Sequence, residues 1–248
     1  MRRLFHRPTT DAARAFARTA MPDRQTPWRD GRYIIVDLET TGLTPGRDEI
    51  ISFGAVPIEH GRILASEAVY ALARPRQSLP PESVRIHGIL PSDLEDAPPL
   101  GDVIGRLLDV MGGRVLVAHV AWVERRFLER AFRPLGVRLR RPLLDTSAIG
   151  RLWLFERDGH LPNAIALSTL ARALRVPTER EHHALGDALT AAQVFLAAAT
   201  HLDQRRRETI GTLADAERRT RVIRRVFPPT TPPAGVAERP QPGAASAR

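Results

Sequence analysis

The tightest constraint on this chain is a short run near its start. Residues 32–39, Arg-Tyr-Ile-Ile-Val-Asp-Leu-Glu, are apolar and β-branched until two acids close the run. A run of this length and composition reads as a buried strand. Side chains alternate along a strand, so Ile35, Asp37 and Glu39 share one face while Ile34, Val36 and Leu38 share the other. Two carboxylates on one face stand about 7 Å apart along the strand. They repel each other there, and burial raises their pKa values. A divalent cation removes that conflict, and ligands of open α/β sheets sit beyond the carboxyl ends of strands. On the strand alone, two ordinary acids at a solvated strand end remain the competing reading.

The rest of the chain supplies what such a strand needs. Residues 49–75 read as two strands joined by a hairpin at 59–62, where Glu59-His60-Gly61-Arg62 is turn chemistry. A Pro-rich stretch follows over 79–100. Leu100–Met111 has helical spacing, Gly113 breaks it, and residues 115–119 form a second short apolar strand. Helices are expected over Trp122–Phe132, 144–155, 168–174 and 184–202, the last rich in Ala and Leu. Strands that come first and then alternate with helices give an α/β fold, with a mixed central sheet of about five strands opening on an antiparallel hairpin. Residues 1–31 read as a basic leader with one short helix, 203–227 as a charged helix and 228–248 as a disordered Pro-rich tail.

Composition narrows the chemistry. The 248 residues contain no cysteine, so any metal sits on oxygen or imidazole. No apolar run approaches the ~18–20 residues that span a bilayer, so no membrane partner is expected. The net charge of +9 lies at the ends: +5 over 1–32, −1 over 33–202 and +5 over 203–248. Basic flanks suit a polyanion, whose binding releases counterions; they equally serve solubility. The preference for Arg over Lys and the abundance of Ala fit a high-GC bacterial genome, and the protein is expected in the cytoplasm.

Three ordered motifs carry a resemblance. Asp37-Leu38-Glu39-Thr40-Thr41-Gly42 is followed by His119-Val120-Ala121-Trp122-Val123-Glu124 and later by His182-His183-Ala184-Leu185-Gly186-Asp187. The chain resembles the DnaQ-like exonucleases, the DEDDh branch of the ribonuclease H-like fold, over about residues 33–200. It departs from the family pattern at three places in the second motif: Glu124 replaces Asp, Val120 replaces Asn and Val123 replaces Phe. Glu129 is a further acid on the same helix, about a turn and a half beyond Glu124, and is expected to face elsewhere. His183 competes with His182 by adjacency, but the family places its His five residues before the Asp, which selects His182. Ile86-His87-Gly88 and Leu144-Asp145-Thr146 are weaker matches, and the Asp of the second is usually structural.

The resemblance implies a 3′–5′ exonuclease that releases nucleoside 5′-monophosphates from single-stranded ends, with DNA favoured and two Mg²⁺ or Mn²⁺ ions as cofactors. Asp37, Glu39, Glu124 and Asp187 would be the metal ligands, with His182 as general base. Thr40, Thr41, His87 and His119 would touch the terminal nucleotides. The same resemblance accommodates an RNA-trimming enzyme, or a catalytically weakened nucleic-acid-binding module. Replication or repair roles, and a polymerase or other protein docked on the basic C-terminal segment, are further expectations. The lack of aromatic clusters predicts a grip of only a few nucleotides.

Overall fold

The computed structural model describes residues 7–226. β1 (Arg32–Thr40) lies at the centre of a six-stranded mixed sheet. Its neighbours are the antiparallel β2 (Ile50–Glu59) and the parallel β5 (Val115–Ala118), which in turn pairs in parallel with β6 (Leu143–Asp145). β3 (Arg62–Ile63) and β4 (Val69–Leu72) both run antiparallel to β2. The turn into β3 has positive φ at His60 and Gly61, 49° and 69°, which gives it the twist a tight hairpin requires. The returning strand is then interrupted by a single helical turn at Ala65–Glu67, so the expected second strand is split in two.

The alternation along β1 sorts the core. Tyr33 and Ile35 pack on one face, and Ile34 and Val36 on the other. The second face is covered by α1 (Asp11–Arg18), α4 (Leu100–Met111) and α5 (Trp122–Phe132). Two short helices, α2 (Pro81–His87) and α3 (Pro91–Leu94), fill the Pro-rich connection before α4. The first face is covered by α6 (Thr146–Asp158), α7 (Leu167–Leu174) and α8 (Ala184–Arg205). Asp37 and Glu39 continue the Tyr33–Ile35 row and therefore look towards α8. No helix among the described residues is long and apolar enough to cross a membrane.

Two readings of the sequence are corrected. The segment 144–155 is not all helix: it begins with strand β6, and Asp145 ends that strand while its carboxylate caps α6 through the Ser147 and Ala148 N–H groups. A three-residue strand carries no detectable period. The segment 203–227 is not one charged helix either. Helix α8 runs to Arg205, and the chain then breaks before α9 (Ile210–Ala214) and α10 (Ala216–Val226). Thr209 forces the break by capping α9, its hydroxyl accepting from the Thr212 N–H at 3.2 Å. Ile210, Leu213 and Ala216 are buried with Trp28 in the α8-side core.

The two basic flanks therefore meet. The Trp28 N–H donates to the Glu208 carbonyl at 3.2 Å, the Ile210 N–H to Thr26 at 3.0 Å and the Gly211 N–H to Arg24 at 2.7 Å. The expected single leader helix is α1, capped by Thr10. The expected disordered tail, 228–248, lies outside the described residues.

Candidate active site

The site forms where β1 and β5, parallel to each other, both end. Asp37 and Glu39 come from β1, and Asp187 from the first turn of α8; one oxygen from each lies within 4.8 Å of the others. Asp187 reaches this place because β2 carries Gly54 opposite Asp37. A Cβ at Gly54 would stand 2.3 Å from the Ala184 carbonyl oxygen, so only glycine lets the start of α8 lie against the sheet. A glycine inside an apolar strand signals such an approach, and its bearing on the site was missed in the sequence.

Glu124 stands in the first turn of α5, at the end of β5. Its Oε2 is buried and has no hydrogen-bond partner. Burial, then Asp145 and Glu39, push its pKa up to about 8 against the pull of its own backbone N–H. Glu39 is pushed up to about 7 by burial and by Asp187. Asp37 is raised well above the carboxylate range by burial, then by Glu124, Asp187 and Glu39. Asp187 is also raised, mainly by burial. None of these four carboxylates forms an ion pair with a described residue. Crowded, desolvated carboxylates without a cation have the chemistry of divalent-metal donors, and the three close enough to share one ion are Asp37, Glu39 and Asp187, with Glu124 outside that group. Glu129, the other acid of α5, is paired with Arg125 at 2.7 Å on the surface.

The two adjacent histidines separate. His183 caps α8, its Nδ1 accepting from the Gly186 N–H at 3.3 Å, and its ring stacks on Tyr70 at 4.7 Å. It is held by the fold. His182 is exposed, and its backbone N–H donates to Asp187 Oδ2 at 2.9 Å. Its φ of 56° is left-handed.

A cavity of about 480 Å³ adjoins Glu39 and is lined by Thr40, Thr41 and His87 among others. Both threonine hydroxyls brace the loop: Thr40 donates to the Gly42 carbonyl at 2.7 Å, and Thr41 accepts from the Glu49 N–H at 3.0 Å. His87 is buried, with Nδ1 accepting from the Ile89 N–H at 3.0 Å and Nε2 without a partner. Its pKa is lowered by burial and then by His182.

His119 is not part of this cavity. Its ring nitrogens sit 2.9 Å from Thr146 Oγ1 and 3.0 Å from the Ile165 carbonyl oxygen. Both nitrogens are engaged in tying β5 to α6 and to the loop before α7.

Val120, at the Asn position of the resemblance, has φ 58°. A β-branched residue there is strained, whereas Asn tolerates the left-handed region. Val120→Asn is expected to stabilise the protein by about 1 kcal/mol, read as a shift in the denaturant midpoint at unchanged slope.

The Exonuclease family RNase_T matches residues 34–195. A DNA polymerase III subunit epsilon-like protein of Rhodobacter capsulatus is 33% identical over 202 residues, which are 81% of this chain and 28% of that protein. A DNA polymerase III PolC-type of Thermotoga maritima is 33% identical over 168 residues, 67% of this chain and 12% of that one. The chain thus spans less than a third of either relative. Among solved structures, Exonuclease X in complex with 5′ overhanging duplex DNA shares the fold at a TM-score of 0.57 and 23% identity, covering 74% of this chain and 98% of that one.

Proposed function

The chain belongs to the Exonuclease family RNase_T, and from that premise we propose that it is a 3′–5′ exonuclease that hydrolyses the terminal phosphodiester of single-stranded nucleic acid. The observation that carries this reading is the group of Asp37, Glu39 and Asp187 without an ion pair, with Glu124 beside it, their pKa values raised first by burial and, for Asp37, Glu39 and Glu124, by neighbouring carboxylates. Asp37, Glu39 and Asp187 would hold one divalent ion, Mg²⁺ or Mn²⁺, and Glu124 would serve a second. When bound, such a pair lowers the pKa of an attacking water and stabilises the leaving oxygen.

The chain's own residues do the rest. His182, exposed beside Asp187, takes the water's proton on a ring nitrogen as the oxygen attacks phosphorus, and the bond to the leaving 3′ oxygen breaks. The products are a nucleoside 5′-monophosphate and a strand shortened by one nucleotide. Thr40, Thr41 and His87 border the terminal nucleotide, and the free Nε2 of His87 offers it one hydrogen bond. DNA is the favoured substrate, because the relatives in Rhodobacter and Thermotoga are named as DNA polymerase III proteins. The same names support a cytoplasmic place, a role in replication or repair, and a polymerase-associated partner at the basic C-terminal segment.

Incubating the full chain with 3′-labelled single strands of DNA and RNA of equal sequence, competing in one tube, tests this. Release of 5′-mononucleotides that requires Mg²⁺ or Mn²⁺, faster from DNA, is expected. No release with either ion would overturn the enzyme reading, and faster release from RNA would reassign the substrate.

Glu124 supports an active site over a weakened binding module, because its buried Oε2 is left without a partner from the fold. Glu124→Asp is expected to keep activity within about tenfold of the parent, and Glu124→Gln, which keeps the size but removes the charge, to lower it by at least about 10–100-fold. Initial rates at saturating metal check both.

A further inference from the structure

Resting on the exonuclease reading, we infer that the outer face of α5, led by Trp122 and Arg126, is a stacking platform for the substrate strand behind its reacting end. The chain has three tryptophans. Trp28 and Trp153 are 1% and 7% exposed, whereas Trp122 is 58% exposed and is the only aromatic among the exposed large hydrophobics of the described residues. A single exposed apolar residue is common on protein surfaces. This one differs in what surrounds it.

The Arg126 guanidinium lies 5.7 Å from the indole centroid. That contact orients the indole and leaves much of the ring open to water. Trp122, Arg126 and Arg130 of α5, with Arg133 at its C-cap, fall along one stripe at spacings of four, four and three residues. Arg126, Arg130 and Arg133 are exposed, and none of the three forms an ion pair with a described residue. The acid beside the stripe, Glu129, is already neutralised by Arg125.

Position supplies the link to catalysis. Helix α5 starts just beyond the carboxyl end of β5, beside Asp37, and Glu124 lies two residues after Trp122. Two residues turn a helix by about 200°, so the indole and the Glu124 carboxylate stand on opposite sides of α5, roughly 10 Å apart across it. A strand whose 3′ end reaches the carboxylates can leave across the rim of α5. There one base meets the indole face, and the phosphates that follow meet the arginines. This chemistry is that of sequence-tolerant single-strand grips, an aromatic face beside a basic track. It extends the grip beyond the few nucleotides expected from the sequence.

The test follows tryptophan fluorescence while the full chain is titrated with oligothymidylates whose 3′ linkages are phosphorothioates, alongside the anisotropy of a labelled strand. A strand of about twelve nucleotides should quench the exposed tryptophan, and a dinucleotide, too short to cross α5, should not. Trp122→Ala should weaken binding of the longer strand by about tenfold, and Trp122→Phe, which keeps an aromatic face, should restore most of that loss. Binding seen by anisotropy without quenching, or equal affinity of Trp122→Ala and the parent, would overturn the platform while leaving the exonuclease reading intact; the stripe would then suit an acidic protein. Absence of any binding by anisotropy would overturn both.

Discussion

Asp37→Asn is expected to lower the rate of 3′-nucleotide release by at least about a thousandfold, because several kcal/mol of charge stabilisation go with the carboxylate and each 1.36 kcal/mol is a factor of ten. The same substitution should raise the melting temperature of the metal-free protein at pH 8. Asp37 stands among Glu39, Glu124 and Asp187, and exchanging a repelled carboxylate for an amide of equal size removes repulsion that nothing offsets in the absence of a cation. Opposite signs for activity and stability are the signature of a site kept strained for function. A buried structural carboxylate would behave otherwise, losing stability together with activity. Single-turnover rates and a thermal melt in chelator measure the two quantities on one preparation. Activity retained within tenfold would remove Asp37 from the site.

That pair of acids was legible in the sequence because local rules fixed it. An apolar run of strand length, period-two alternation and turn residues after it place Asp37 and Glu39 on one face without knowledge of anything distant. Asp187 was legible through motif spacing, but the reason it arrives is Gly54 on the neighbouring strand, a tertiary fact. His119 shows the limit of spacing. Its position could be read, but the partners of its ring nitrogens, Thr146 and the Ile165 carbonyl, lie far along the chain. The break between α8 and α9 was hidden for a related reason. Arginines dominate 203–227, and the apolar positions that dock, Ile210, Leu213 and Ala216, find their partner in Trp28 near the other end. β6 is too short to carry any period. The exposure of Trp122 could not be read at all, since a tryptophan at helical spacing is more often core.

The metal-free protein is expected to lose stability as pH rises, and a divalent ion to restore it. Glu39 and Glu124 ordinarily titrate near 4.5; in the folded protein they titrate near about 7 and about 8. Between those values the folded state holds more protons than the unfolded one, so stability falls with rising pH. The stabilising contribution is complete below about 4.5 and is gone above about 8, a loss on the order of several kcal/mol, since each tenfold difference in proton affinity between the two states is worth ~1.4 kcal/mol. Asp48 and Glu49, whose carboxylates are held below the usual range by hydrogen bonds and arginines, act the other way, but their loss begins only as pH falls through the acid range. His87 and His119, lowered by burial, also favour folding as pH rises, and their window overlaps. Subtracting the melting curve of a Glu39→Gln, Glu124→Gln double variant from that of the parent at each pH cancels the histidines, which both proteins share, and keeps the two carboxylates. The difference should widen from pH 5.5 to pH 8.5 in chelator and close when Mg²⁺ or Mn²⁺ is added to the parent, since an ion that binds only the folded state stabilises by mass action and binds best when the carboxylates are ionised. A difference that stays flat with pH, and a parent melting temperature unmoved by either ion at pH 8.5, would show that these carboxylates are not a metal site.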